Sequence, residues 1–95
     1  MQKTDEKLPI GNIQEIGPSI VRSTQALGEL IRARRKQLEL KQTDVAGIGN
    51  TGNRFIVDVE NGKPTVQLQK VMNLLELLGL ELTVRPKDGG TGGRL

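Results

Sequence analysis

The sequence predicts a mostly α fold of four to five short helices, and three observations lead there. Phe55 is its one aromatic residue, so a core has to be built from Leu, Ile, Val and Met, which suits packed helices better than a β-sandwich. Apolar residues recur at steps of three and four in two stretches, 24–38 and 68–78, the spacing that lines up side chains on one helical face. Between those stretches Gly, Asn and Pro punctuate the chain at short intervals. With 95 residues there is material for one small core and not for two.

Residues 1–22 read as a flexible arm, because charged and polar residues alternate with Gly and Pro, and Leu8, Ile10, Ile13 and Ile16 are too scattered to form a face. Ser19-Ile20-Val21-Arg22 suits a short extended piece. Ser23 or Thr24 then offers an N-cap for a helix running to about Leu38, which turns Leu27, Leu30, Ile31 and Leu38 to one side. Gln42-Thr43-Asp44-Val45-Ala46 suggests a second short helix, with Asp44 in the first turn where the helix dipole favours an anion. Gly47, Gly49 and Gly52, with Asn50, Thr51 and Asn53 among them, force a turn.

A third helix is expected from about Asn53 to Asn61-Gly62, a pair suited to a left-handed C-terminal cap. Thr65 can cap a fourth, in which Leu68, Val71, Met72, Leu75 and Leu78 share a stripe and which Gly79 closes. Leu80-Glu81-Leu82-Thr83-Val84-Arg85 alternates apolar and polar strictly and reads as a half-buried strand stopped by Pro86. It has no partner within the chain. The domain is thus expected over 23–79, a strand over 80–86 and a Gly-rich disordered tail over 87–95.

There is no Cys and no His, which removes thiolate and imidazole metal sites and the usual base near neutral pH. Asp58, Glu60 and Glu81 have no such group beside them, and no Gly-rich phosphate loop follows a strand. The reading is therefore no enzyme, no cofactor and no metal. No apolar run reaches the ~18 to 20 residues that span a bilayer, and the basic, apolar, small-residue order of a secretory signal is missing. A cytoplasmic protein without a membrane partner is the expectation.

Charge points to an acidic partner through its distribution more than through its net value of +3. Arg32, Arg34, Arg35, Lys36 and Lys41 stand against Glu39 alone, five positive charges and one negative within ten residues. Such a run is either a solvated face or a surface for phosphates. Two short helices joined by a small-residue turn, with a basic helix ahead of them, form the arrangement that puts the second helix into the DNA major groove while the first crosses the backbone.

Leu40-Lys41-Gln42-Thr43-Asp44-Val45-Ala46, followed by Ile56, Val59 and Glu60-Asn61-Gly62, resembles the lambda-repressor-like helix-turn-helix family. Its pattern is Leu, Ser or Thr, Gln, two variable residues, an apolar residue and Ala, with Glu-Asn-Gly beginning fourteen residues later. Downstream, Arg54-Phe55-Ile56-Val57-Asp58-Val59-Glu60-Asn61-Gly62-Lys63-Pro64-Thr65 and Leu77-Leu78-Gly79-Leu80-Glu81-Leu82 are similar to the HipB-like antitoxins, partners of HipA-type serine/threonine kinases. The likeness spans about 27–85. It implies a homodimer whose C-terminal strands pair across the two-fold axis through Leu80, Leu82 and Val84, which supplies the missing ladder partner.

The resemblance also implies roles. Asn53 and Arg54 would meet adenine and guanine edges, Gly52 would let the backbone approach DNA, Phe55 would touch a thymine methyl or else serve the core, and Val57 and Asp58 would lie at the footprint's edge. Gln42 would bond a phosphate, with Lys41, Thr43, Asn61 and Lys63 as companions or as ordinary caps and surface. Arg35 and Glu60 would form a partly buried structural salt bridge. Lys41 departs from the capping Ser or Thr, and Thr51 stands where the family buries Val or Ile; a looser turn is expected there. The implied function is a repressor of a palindromic operator, as an antitoxin or as a stand-alone regulator, with a non-DNA-binding adaptor as the contrasting class.

Overall fold

The computed structural model describes residues 18–87. It contains α1 (Thr24–Gln37), α2 (Gln42–Ile48), α3 (Asn53–Glu60) and α4 (Leu68–Leu77), all within the span expected for the domain. The expectations for 1–17 and 88–95 lie outside the described residues. Ser23 caps α1, its Oγ accepting from the Ala26 N–H at 3.0 Å. Lys41 caps α2 with its backbone alone: the Lys41 N–H donates to Asp44 Oδ2 at 2.8 Å, so Asp44 supplies one half of a capping box, and a lysine, having no acceptor, cannot supply the other.

All four helices end in the same way. The residue two past each helix has positive φ, namely Glu39 (60°), Asn50 (53°), Gly62 (83°) and Gly79 (77°). The following N–H reaches back to the carbonyl five residues before it: Leu40 to Arg35, Thr51 to Ala46, Lys63 to Asp58 and Leu80 to Leu75, at 2.8 to 3.1 Å. This double-bonded ending consumes carbonyls that would otherwise be orphaned. The turn between α2 and α3 is therefore closed by hydrogen bonds, contrary to the looser turn expected from its glycines. The left-handed residue there is Asn50, while Gly47 lies inside α2.

The core is formed by Ile31, Val45, Ala46, Ile56, Val59, Val71, Leu74, Leu75 and Leu78, with Leu27, Leu40, Phe55, Val66, Leu77 and Leu80 packed around it. Each fully buried Ile or Leu contributes about 1.5 to 3 kcal/mol. Three expected core positions are corrected. Leu38, Leu68 and Met72 are exposed, because α1 ends one residue before Leu38 and because the buried stripe of α4 runs through Leu74 and Leu75. The cap expected at Thr65 is corrected too: residues 64–66 form a turn and bend, and the N-cap of α4 is Gln67, two residues later.

Helices α1 and α3 meet at Gly28. A Cβ there would lie 2.4 Å from the Val59 carbonyl oxygen and 2.7 Å from that of Glu60, so this approach is open to glycine alone. The contact is reinforced where Thr24 Oγ1 donates to the Gly62 carbonyl at 2.8 Å. At the far end of α1, Arg34 Nε donates to the Leu78 carbonyl at 2.8 Å, capping α4 with a cation where the helix dipole favours one.

Among the described residues no strand is formed. Residues 81–87 are exposed and carry no ladder, as a single chain offers the alternating segment nothing to pair with. They lie beside 18–22 along an apolar groove of about 540 Å³ lined by Ile20, Val21, Leu27, Leu30, Leu82 and Val84 among others.

Candidate nucleic-acid interface

The second helix of the motif is presented by a buried ion pair. Arg35 of α1 donates through Nε to Glu60 Oε2 at 2.6 Å and through Nη2 to Oε1 at 3.0 Å, joining α1 to the last residue of α3. The remaining Arg35 Nη1 donates to the Leu40 carbonyl at 2.8 Å. With that fork engaged on two sides, both charges are desolvated and paired. Gln42 Nε2 also donates to Glu60 Oε1, at 3.0 Å, so one glutamate gathers the starts and ends of three helices.

The ion pair withdraws charge from the surface. Of the five basic residues between 32 and 41, Arg35 is buried and Arg34 is spent on the α4 terminus. Arg32, Lys36 and Lys41 remain exposed. Arg32 lines a polar cleft with Lys41, Gln42, Glu60 and Asn61. In the sequence Arg32 is one of five basic residues with nothing to distinguish it; only the cleft singles it out from its neighbours.

Gly52 is the N-cap of α3, and a Cβ there would meet nothing within 4 Å. Asn53 and Arg54 follow in the first turn, exposed, with the Arg54 side chain 85% accessible. These three residues lie together at the open end of α3. Phe55 points differently: it is half-buried against the core, with Lys70 Nζ 5.7 Å from its ring centroid, the packing role named for it as the alternative. Val57 is half-buried.

Asp58 is turned along the helix, receiving Arg54 Nε at 3.2 Å on Oδ1 and facing Lys63 Nζ at 3.5 Å with Oδ2. Gln42 keeps a second amide hydrogen beyond its bond to Glu60, while Lys41, Thr43, Asn61 and Lys63 are all exposed, Lys41 and Asn61 sharing a polar cleft with Gln42. Leu80 packs on the core, whereas Leu82 and Val84 are 55% and 91% exposed. Among the described residues no group of acidic side chains could hold a metal ion, and no helix is long and apolar enough to cross a membrane.

Similarity to known proteins follows the same outline. A helix-turn-helix family profile matches residues 31–84. The uncharacterized HTH-type transcriptional regulator y4mF of Sinorhizobium fredii (strain NBRC 101917 / NGR234) is 41% identical over 64 residues, 67% of this chain and 84% of the relative. The ImmF control region 10 kDa protein of Bacillus phage phi105 is 33% identical over 58 residues, 61% of this chain and 64% of its own length.

Among solved structures, a HipB-O4 20mer complex superposes with a TM-score of 0.66 at 21% identity, covering 70% of this chain and 94% of that one. A structure named MDT Protein gives the same TM-score, identity and coverage. These structural likenesses establish the arrangement of helices. With the profile spanning more than half of the sequence, the chain belongs to the XRE-type helix-turn-helix family of DNA-binding transcriptional regulators.

Proposed function

We propose that the protein is a cytoplasmic, sequence-specific repressor that binds a palindromic operator as a homodimer, with Asn53 and Arg54 reading base edges in the major groove. The observation that carries this reading is the joint exposure of Gly52, Asn53 and Arg54 at the open end of α3, on a helix whose other end is locked to α1 by the buried Arg35–Glu60 pair. An arginine placed this way offers a fork that matches guanine O6 and N7, and an asparagine matches adenine. Arg32, Lys41, Gln42, Thr43, Asn61 and Lys63 serve the phosphates, which position the protein without reading sequence.

Two copies joined through residues 80–85 would set their recognition helices about 34 Å apart, one turn of duplex. The fuller form of the reading is an antitoxin that also holds a HipA-type serine/threonine kinase inactive and represses its own operon, supported by the sequence resemblance over 54–65 and 77–82. A stand-alone regulator is the second reading, favoured by the 41% identity to a protein named as a transcriptional regulator. Co-purification with a kinase separates the two.

The DNA-binding claim is tested by selecting sites from random duplexes and titrating salt. A dimer with roughly 6 to 10 phosphate contacts loses about 10³- to 10⁵-fold in affinity between 50 and 200 mM salt, whereas an apolar adaptor surface does not. Arg54→Ala is expected to relax preference at one base pair per half-site, and Gln42→Ala to weaken all sequences alike. Unchanged sequence preference in Arg54→Ala rejects this placement of the recognition helix.

A further inference from the structure

We infer that Asp58 is a positioning residue for DNA readout: it aims the Arg54 guanidinium at one base pair and touches no base itself. The inference rests on the reading of Arg54 as a base contact. An exposed (i, i+4) ion pair adds only a few tenths of a kcal/mol to stability, and a carboxylate on a DNA-facing surface repels phosphates. Asp58 therefore works against both the generic affinity of this face and simple economy of charge, which calls for a more specific role.

The geometry supplies one. Asp58 Oδ1 takes the Nε of Arg54 at 3.2 Å. That leaves the two terminal nitrogens of the guanidinium as a free end-on fork, the edge that pairs with guanine O6 and N7. Unheld, an arginine this exposed spreads over many rotamers and reaches phosphates as readily as bases. Asp58 is itself fixed from the other side. Its Oδ2 faces Lys63 Nζ at 3.5 Å, and the backbone of Lys63 is anchored beside it, its N–H closing the end of α3 on the Asp58 carbonyl at 3.0 Å. With its side chain only 21% exposed, the carboxylate is a fixed post where Arg54 is a swinging arm. The cluster Lys63–Asp58–Arg54 thereby links the end of the recognition helix to its base-reading start.

The test uses the full chain and a duplex selected by the wild-type protein, together with the same duplex carrying each substitution at every base pair in turn. A bidentate arginine carries roughly 5- to 150-fold discrimination at its base pair. Asp58→Ala is expected to lose most of that discrimination at the pair Arg54→Ala identifies, while binding unrelated duplexes as tightly as the wild type or more so. Asp58→Asn keeps an acceptor for Nε and is expected to restore part of the discrimination, at a thermal midpoint close to that of Asp58→Ala. In an Arg54→Ala background, Asp58→Ala should change discrimination no further. If Asp58→Ala discriminates as the wild type does while Arg54→Ala does not, the positioning role is overturned and the Arg54 contact stands. If Arg54→Ala itself leaves every base preference intact, the underlying reading falls and this inference falls with it.

Discussion

Glu60 accepts both Arg35 Nε and Arg35 Nη2, at 2.6 and 3.0 Å, with the two side chains only 2% and 9% exposed. A carboxylate and a guanidinium at that depth are costly apart and tolerable together. Arg35→Ala or Glu60→Ala is therefore expected to lower unfolding free energy by about 3 to 5 kcal/mol, read from urea denaturation. Replacing both by apolar residues of similar volume should cost far less. Because Glu60 also holds Gln42 and Arg35 also holds the Leu40 carbonyl just ahead of α2, each single substitution removes a tie near the start of α2 as well, so lost DNA binding in these variants does not prove contact.

Gly28 and Gly47 are matched opposites. Both lie inside helices, yet a Cβ at Gly28 would strike the Val59 carbonyl at 2.4 Å, and one at Gly47 would meet nothing within 4 Å. Backbone has no rotamer with which to yield. Gly28→Ala should separate α1 from α3 and cost about 1 to 3 kcal/mol, as overpacking does. Gly47→Ala should stabilise by about 0.4 to 1 kcal/mol through the unfolded chain. The pair of melting curves checks both, and a stable Gly28→Ala protein would show that the two helices do not meet as described.

Thr51, where the family resemblance leads one to expect Val or Ile, has its Oγ1 buried without a hydrogen-bond partner. A desolvated hydroxyl with no partner costs about 1 to 3 kcal/mol. Thr51→Val keeps the shape and removes the unmet group, so a rise in thermal midpoint is expected with DNA affinity unchanged. An unchanged or lower midpoint would mean that the hydroxyl is satisfied in solution.

How far the sequence foretold this structure depends on which interactions are local. Ser23, Asn53, Gly62 and Gly79 announce helix boundaries through their own conformational preferences, and the boundaries fall where those residues stand. The Arg35–Glu60 pair was legible only through the family resemblance, since nothing in 25 residues of separation ties one to the other. Gly28 gave no local signal, because its reason is the carbonyl of another helix. The basic run misled in part: composition counts charges, but Arg34 and Arg35 are consumed by long-range partners that composition does not see. Phe55 and Asp58 were assigned by position along α3; which way each side chain turns is decided by Lys70, Arg54 and Lys63 around them.

The proposed dimer can be tested without damaging the monomer only if the cut is placed with care. Leu80 packs on the core, and its N–H closes α4 on the Leu75 carbonyl at 2.8 Å, so removal of 80–95 takes away part of the fold along with any interface. Residues 81–87 are exposed throughout, with Val84 91% accessible, and their loss costs the single chain little. A chain ending at Leu80 is expected to keep the helical circular dichroism of the full protein and to run as a monomer by light scattering. It should bind a palindromic duplex no better than a half-site, since the gain from linking two half-sites needs both copies held together. Leu82→Asp with Val84→Asp in the full chain should do the same by charge repulsion between paired strands. A dimer that survives both changes places the interface elsewhere, with the exposed Ile20 and Val21 that line the same groove as the next surface to alter.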